Sequence, residues 1–326
     1  MLNCYVRDSG GLRLAGTDAS ALGDDTVWVD LWNPTPEEDE AVETRYGVCV
    51  PTGDEMWDLE TSSRLHVDQD QLHMTATIAT KIDTPSPETA VLTFILSSER
   101  LISVRYSDPI PFRRWRAFAE KHPATCATPT VVFTGLMQSL IERIAEVLER
   151  LGGELDALST LIFSNGVALD KFSKRDQQLR SFVQSLGRKG DLLSKLRESL
   201  VSLGRTLSFA QGPGLPVVTP EARRHLQTVQ QDVIALSEHA SFVAGKISFL
   251  LEATLGLISI EQNRLMNIFS IAAVVLMPPT LIAGIYGMNF EIMPELKWHL
   301  GYPLSLLLML MSSVLPLLYL RRRGYL

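Results

Sequence analysis

The sequence predicts an α+β domain, then a long helical stalk, then two C-terminal transmembrane helices. Three observations lead there. Short runs of β-branched and aromatic residues fill the first third; leucine-type residues then recur at three- and four-residue steps; two uncharged runs, Leu265 to Tyr286 and Tyr302 to Leu320, close the chain. Each run is close to the ~20 residues a helix needs to cross a bilayer. The pattern divides the 326 residues into an α/β domain over 1–125, a coiled-coil-like stalk over 126–262 and a two-span membrane domain over 263–326.

In the first domain, strands are expected at Cys4–Val6, Val27–Leu31, Leu72–Ile78, Ala90–Leu96 and Leu101–Tyr106. Thr35-Pro36-Glu37-Glu38 offers a cap, a proline for the first turn and acids near the positive end of the helix dipole. That helix should run to Tyr46 and stop at Gly47, and another should span Phe112 to Lys121. No nucleophile elbow, phosphate loop or pair of catalytic carboxylates accompanies them. The domain reads as a regulator or scaffold, and an enzyme is the weakest functional class.

From Thr130 the period becomes helical. Phe133, Met137, Leu140, Ile144, Val147, Leu151, Leu155, Leu158 and Ile162 mark one helix, with a turn expected around Ser164-Asn165-Gly166. Leu179 to Leu207 repeat the theme until Gly212-Pro213-Gly214. Thr219-Pro220-Glu221 starts a third helix, striped by Leu226, Val229, Val233, Leu236, Ala240, Val243, Ile247, Leu250 and Thr254. No strong breaker separates that stripe from the first span, so one helix from Glu221 to Tyr286 is expected, on the order of 100 Å long at 1.5 Å per residue.

Charge is uneven. Residues 1–60 carry 14 acidic and 3 basic side chains, against 23 and 27 in the remainder. An acidic first region argues against nucleic-acid binding, which wants a basic patch. Cys4, Cys49 and Cys126 are scattered, and His66, His73, His122, His225, His239 and His299 form no ligand-spaced cluster, which argues against structural zinc and fits a reducing compartment. The first residues lack a signal-peptide pattern, so the long N-terminal part is expected in the cytoplasm. Arg321, Arg322 and Arg323 place the C-terminus there as well, by the positive-inside rule. The loop between the spans then faces outward.

The first span is not a plain anchor. Asn263, Met266, Ser270, Ala273, Met277, Thr280, Gly284 and Gly287 share one stripe that is small, polar or soft throughout. Two readings stand side by side: a helix-packing face, since small residues let helices approach closely, or the lining of a hydrated path, since polar residues in membranes face an interior or water. Pro278-Pro279 lies within the span and deprives carbonyls near Val274 and Val275 of their donors.

Tyr286-Gly287-Met288-Asn289, followed by Met293-Pro294-Glu295-Leu296, resembles the signature of the CorA-type magnesium transporters. The likeness extends through Glu261-Gln262-Asn263-Arg264, Pro278-Pro279-Thr280-Leu281, Lys297-Trp298 and Gly301-Tyr302-Pro303, and more weakly through Val29-Asp30-Leu31 and Pro51-Thr52. The resemblance implies a funnel-shaped homopentamer in the cell inner membrane, with hydrated magnesium as transported and regulatory ion. It makes Tyr286, Gly287, Met288 and Asn289 the selectivity filter. Pore-lining candidates are Asn263, Met266, Ser270, Met277, Thr280 and Gly284, with Glu291 and Glu295 as acids at the outer mouth.

Magnesium dehydrates reluctantly, so a ring of Asn289 carboxamides accepting hydrogen bonds from its waters would suit it. A carboxylate ring would hold the ion too tightly for conduction. Glu252 is the candidate for the acidic region that senses internal magnesium and closes the channel. Cobalt or nickel are further candidate ions. The rival readings are a zinc transporter of the related ZntB type, which typically shows a GVN-like motif, and a non-conducting membrane-anchored scaffold.

Overall fold

The computed structural model describes residues 1–8, 11–60, 63–122, 128–164, 172–212, 218–288 and 298–323. Strands β1 (Leu2–Asp8), β2 (Gly11–Gly16), β3 (Thr26–Trp32), β4 (Leu65–Asp68), β5 (Gln71–Thr80), β6 (Glu88–Leu96) and β7 (Leu101–Arg105) form one sheet in the order β2-β1-β3-β7-β6-β5-β4. β3 and β7 pair in parallel at its centre and every other pair is antiparallel. Helices cover both faces, so β3 and β7 are buried on both sides and read as near-continuous apolar runs.

On one face, Leu2, Cys4, Val29, Leu31, Ile102 and Val104 pack against Val42 of α1 (Pro36–Tyr46) and Met56 of α2 (Gly53–Asp58). Thr35 caps α1, with its hydroxyl accepting from Glu38 N while Glu38 reaches back to the Thr35 N–H, and Gly47 ends it in the left-handed region at φ 65°. The opposite face carries Trp28, Phe94 and the Asp30–Arg105 pair. Phe94 and the Arg105 guanidinium lie against Phe112 of α3 (Ile110–Lys121), and Phe94 also meets Phe133 of α4 (Pro129–Ser164). Gly135 lets α4 lie directly on Trp115: a β-carbon there would stand 2.0–2.5 Å from the indole ring.

The expected strands are all present, each within two residues of its predicted ends. Two more were not foreseen. β4 joins β5 through a hairpin whose central residues, Gln69 (φ 45°) and Asp70 (φ 64°), take the left-handed conformation that glycine or asparagine usually signals. β2 is glycine-bounded and short. The hairpin also places His66 opposite His73 with ring centroids 4.8 Å apart, a pairing invisible in their sequence spacing. Among the described residues, no group of three His, Cys, Asp or Glu side chains converges as metal ligands.

Helices α4, α5 (Phe172–Ala210) and α6 (Pro220–Tyr286) follow, then α7 (Gly301–Arg322). Of the turn expected at 164–166, Ser164 is the last residue of α4 and 165–166 lie outside the described residues, as do Pro213 and Gly214 of the expected break. Near its start, α6 packs on the earlier helices. Val233 touches Gly204 of α5, His225 Nε2 lies 3.1 Å from Gln138 Oε1 of α4, and Lys246 pairs with Asp156 of α4. Chain contacts group into two compact units, Met1–Leu251 and Glu252–Leu326.

Candidate ion pathway

Helix α6 is continuous for 67 residues, as the absence of a breaker implied. Its stalk stripe is buried at Leu226, Val229, Val233, Ala240, Val243, Ile247, Leu250 and Thr254, with Leu236 half-buried. Asn263 stands nine residues beyond Thr254, which at 3.6 residues per turn is the opposite side of the helix. From there the small and polar stripe runs exposed on the single chain: Asn263, Met266 (63%), Ser270, Ala273, Met277 (68%), Thr280, Gly284 and Gly287. A different line, Ile271, Val275, Pro278, Ile282 and Tyr286, is half-covered. Tyr286 therefore sits apart from Met277 and Gly284, although it begins the predicted filter.

The prolines act on the backbone between these lines. Pro278 and Pro279 stay within α6 and bring no N–H to the carbonyls of Val274 and Val275. One turn on, the Thr280 hydroxyl donates to the Leu276 carbonyl at 2.7 Å, the back-bonding by which threonine satisfies its hydroxyl within a helix. Residue spacing places Thr280 on the stripe but does not show this bond to its own helix. Ala273, Met277, Thr280, Gly284 and Met288 line a shallow groove along the exposed side.

The helix closes where the signature begins. Gly287 N donates to Ala283 O at 2.9 Å and Met288 N to Ile285 O at 3.3 Å. A β-carbon on Gly287 would come within 3.0 Å of the Ala283 carbonyl, tight enough that the last turn would have to give. Asn289, Glu291 and Glu295 lie outside the described residues.

α7 is the second helix long and apolar enough to cross a membrane. Two of its hydroxyls bond within the helix, Ser305 to the Tyr302 carbonyl at 2.8 Å and Ser312 to the Met309 carbonyl at 2.9 Å. Arg321 and Arg322 occupy its last turn, and the Arg323 guanidinium stands 5.5 Å from the Tyr319 ring centroid. Glu252 is exposed on α6.

A protein-family model described as "CorA-like Mg2+ transporter protein" matches residues 23–322. The chain belongs to this family. Among its CorA relatives is the magnesium transport protein CorA of Haemophilus ducreyi, 31% identical over 327 residues that cover all of both chains. The fold is that of the complete CorA magnesium transporter structure from Methanocaldococcus jannaschii, with TM-score 0.79 at 17% identity over 100% of this chain and 99% of that one. The ZntB cytoplasmic domain from Vibrio parahaemolyticus is more distant, with TM-score 0.60 at 13% identity over 79% of this chain and 97% of that one. CorA membership agrees with the motif that led to the expectation, Gly287-Met288-Asn289 after one span and before a second.

Proposed function

We propose that this chain is a magnesium channel whose conducting path runs along the exposed Asn263–Gly287 side of α6, with cobalt or nickel as further ions that can pass. The observation that carries the reading is a coincidence. The full-length CorA match falls on a chain whose first span leaves a stripe of small, polar and thioether side chains without cover. In lipid, such a stripe calls for partners or water, and copies of the chain arranged about an axis satisfy both demands. The assembly proposed is a homopentamer in the inner membrane with both termini in the cytoplasm, the basic Arg321–Arg323 end supporting that orientation.

Within that path, Gly284 and Thr280 offer a narrow, weakly polar surface, and Met277 and Met266 the apolar constrictions. Asn289 carboxamides at the outer end accept hydrogen bonds from the waters of the ion, so the ion enters without being stripped. Glu291 and Glu295 raise the cation concentration at the mouth. Inward movement of a divalent ion is downhill by roughly 4–5 kcal/mol per 100 mV, so an inside-negative potential drives uptake. The regulatory ion needs more than one chain: Glu252 is exposed, and no three metal-ligating side chains meet among the described residues. The proposed site therefore takes Glu252 from one copy and oxygens from its neighbour.

The test is divalent-ion uptake into proteoliposomes under an inside-negative potential, comparing the native chain with Asn289→Ala. Magnesium influx lost in the variant, with the oligomer intact, supports the filter assignment; equal uptake removes Asn289 from it. Influx of zinc but not magnesium would support the ZntB-type alternative, and no flux of any divalent ion at low internal magnesium would leave the scaffold reading.

A further inference from the structure

One well-formed cleft of the Met1–Leu251 unit is not on the ion path. It has a volume of about 650 Å³ and lies between the β4–β5 hairpin, α5 and the stretch of α6 around Ala244–Ser248. That volume falls within the roughly 300–1,000 Å³ of small-molecule sites. Three arginines, Arg64, Arg197 and Arg205, line it, against one carboxylate, Glu198. Arg197, Val201 and Arg205 stand four residues apart on α5, so the two cations flank an apolar step on one helix face. Leu193 and Ile247, both buried, complete an apolar floor.

Arg64 is held in position from the other wall. Its Nε donates to the Leu59 carbonyl at 3.2 Å and its Nη1 to Thr77 Oγ1 at 2.9 Å. The Thr77 N–H in turn donates to Ser202 Oγ at 2.8 Å, which ties β5 to α5 at the cleft. Among the described residues Arg64 Nη2 has no hydrogen-bond partner, and Arg197 has neither a hydrogen bond nor an ion pair. A fixed guanidinium with a spare edge, two more cations and surrounding hydroxyls match a phosphate group, which accepts several charge-assisted hydrogen bonds at once. The apolar floor gives the remainder of a larger ligand a surface that bare phosphate would not use.

We propose that this cleft binds a nucleotide-sized phosphate ester, with Arg64, Arg197 and Arg205 on the phosphate and Leu193, Val201 and Ile247 beneath its apolar part. Glu198 disfavours ligands of higher negative charge and accepts from a hydroxyl or amino group of the ligand. α6 forms one wall of the cleft and is the helix that continues into the first span, so the occupant touches the element that carries the pore stripe.

The test is calorimetric titration of the full-length, detergent-purified chain in magnesium-free buffer, with ADP, adenosine, inorganic phosphate and dioctanoyl phosphatidic acid as separate probes. The expected result is saturable binding of ADP, weaker binding of inorganic phosphate and none of adenosine. Arg197→Ala should weaken ADP about tenfold or more, the loss of a hydrogen bond to a charged group. Arg188→Ala, an exposed arginine outside the cleft, should leave it unchanged. Absence of saturable ADP binding overturns the proposal, as does an affinity unmoved by both Arg197→Ala and Arg64→Ala. Binding of phosphatidic acid without ADP also overturns it, in favour of a lipid headgroup.

Discussion

The Arg105 guanidinium grips the Asp30 carboxylate through two parallel hydrogen bonds, Nε to Oδ1 and Nη2 to Oδ2, each 2.9 Å long, with both side chains fully buried. The pair joins β3 to β7, the two parallel strands at the centre of the sheet. It is fully furnished: Ser103 donates to Asp30 Oδ1 at 3.0 Å, Trp28 Nε1 donates to Ser103 Oγ, and Arg105 Nη1 bonds the Ser107 carbonyl and Asp108. Buried charges persist only when paired and hydrogen-bonded in this way.

Removing one partner should therefore be far worse than removing both. Asp30→Ala leaves a buried, unmatched guanidinium and is expected to destabilise the chain by about 3–5 kcal/mol, whereas Asp30→Leu combined with Arg105→Met should recover most of that loss. Tryptophan fluorescence during denaturation reads the change, with Trp28 and Trp32 close by. A single variant as stable as the parent would show the pair contributes nothing to holding the strands.

Gly135 and Trp115 should behave as one unit. Gly135→Ala forces its methyl into the indole ring, an overpacking expected to cost about 1–3 kcal/mol. In a double-mutant cycle with Trp115→Ala, the Gly135→Ala penalty should largely vanish, because the ring it strikes is gone. Additive melting shifts would contradict the contact.

Asp39 should make stability depend on pH in an unusual direction. Burial, then the neighbouring carboxylates of Glu43 and Glu38, push its carboxyl up to about 6, and among the described residues its Oδ1 is buried without a hydrogen-bond partner. The folded chain thus takes up a proton more readily than the unfolded one. The ionised group opposes folding above pH 6, and that opposition fades as pH falls through 6 toward the ordinary aspartate range near 4. Asp39→Asn should raise the melting temperature at pH 8 and leave it unchanged at pH 4; an equal shift at both would exclude titration as the cause.

The pore stripe can be read by cysteine scanning. In a background with Cys4→Ala, Cys49→Ser and Cys126→Ser, a charged methanethiosulfonate reagent should suppress most magnesium uptake through Met277→Cys, Thr280→Cys and Gly284→Cys. Val275→Cys and Ile282→Cys, on the half-covered line across α6 from the stripe, should be unaffected. Block at Val275 with none at Thr280 would turn the path to another face.

The sequence carried the helices and central strands because their signals are local. The cap at Thr35 and stop at Gly47 lie within one segment, and a buried stripe such as Leu226–Thr254 repeats every turn. What it hid depended on partners distant in sequence or on unusual turn residues. α2 was overlooked although Thr52 and Glu55 carry a complete capping box, a signal that was present and unread. β4 lacked the Asn-Gly turn that announces a hairpin. The ion path was legible as a stripe, but the half-covered line that takes in Tyr286 was not, because residue type does not reveal which apolar face meets cover.

The unbroken run of α6 from stalk to span sets a rule for how such a chain can change length. Deleting one residue between Thr254 and Asn263 would rotate everything downstream by about 100° and draw it back about 1.5 Å, turning Met277 and Gly284 away from their present bearing. A seven- or eleven-residue change restores the bearing to within about 20°. Insertions and deletions surviving in this helix are expected to come in sevens and elevens.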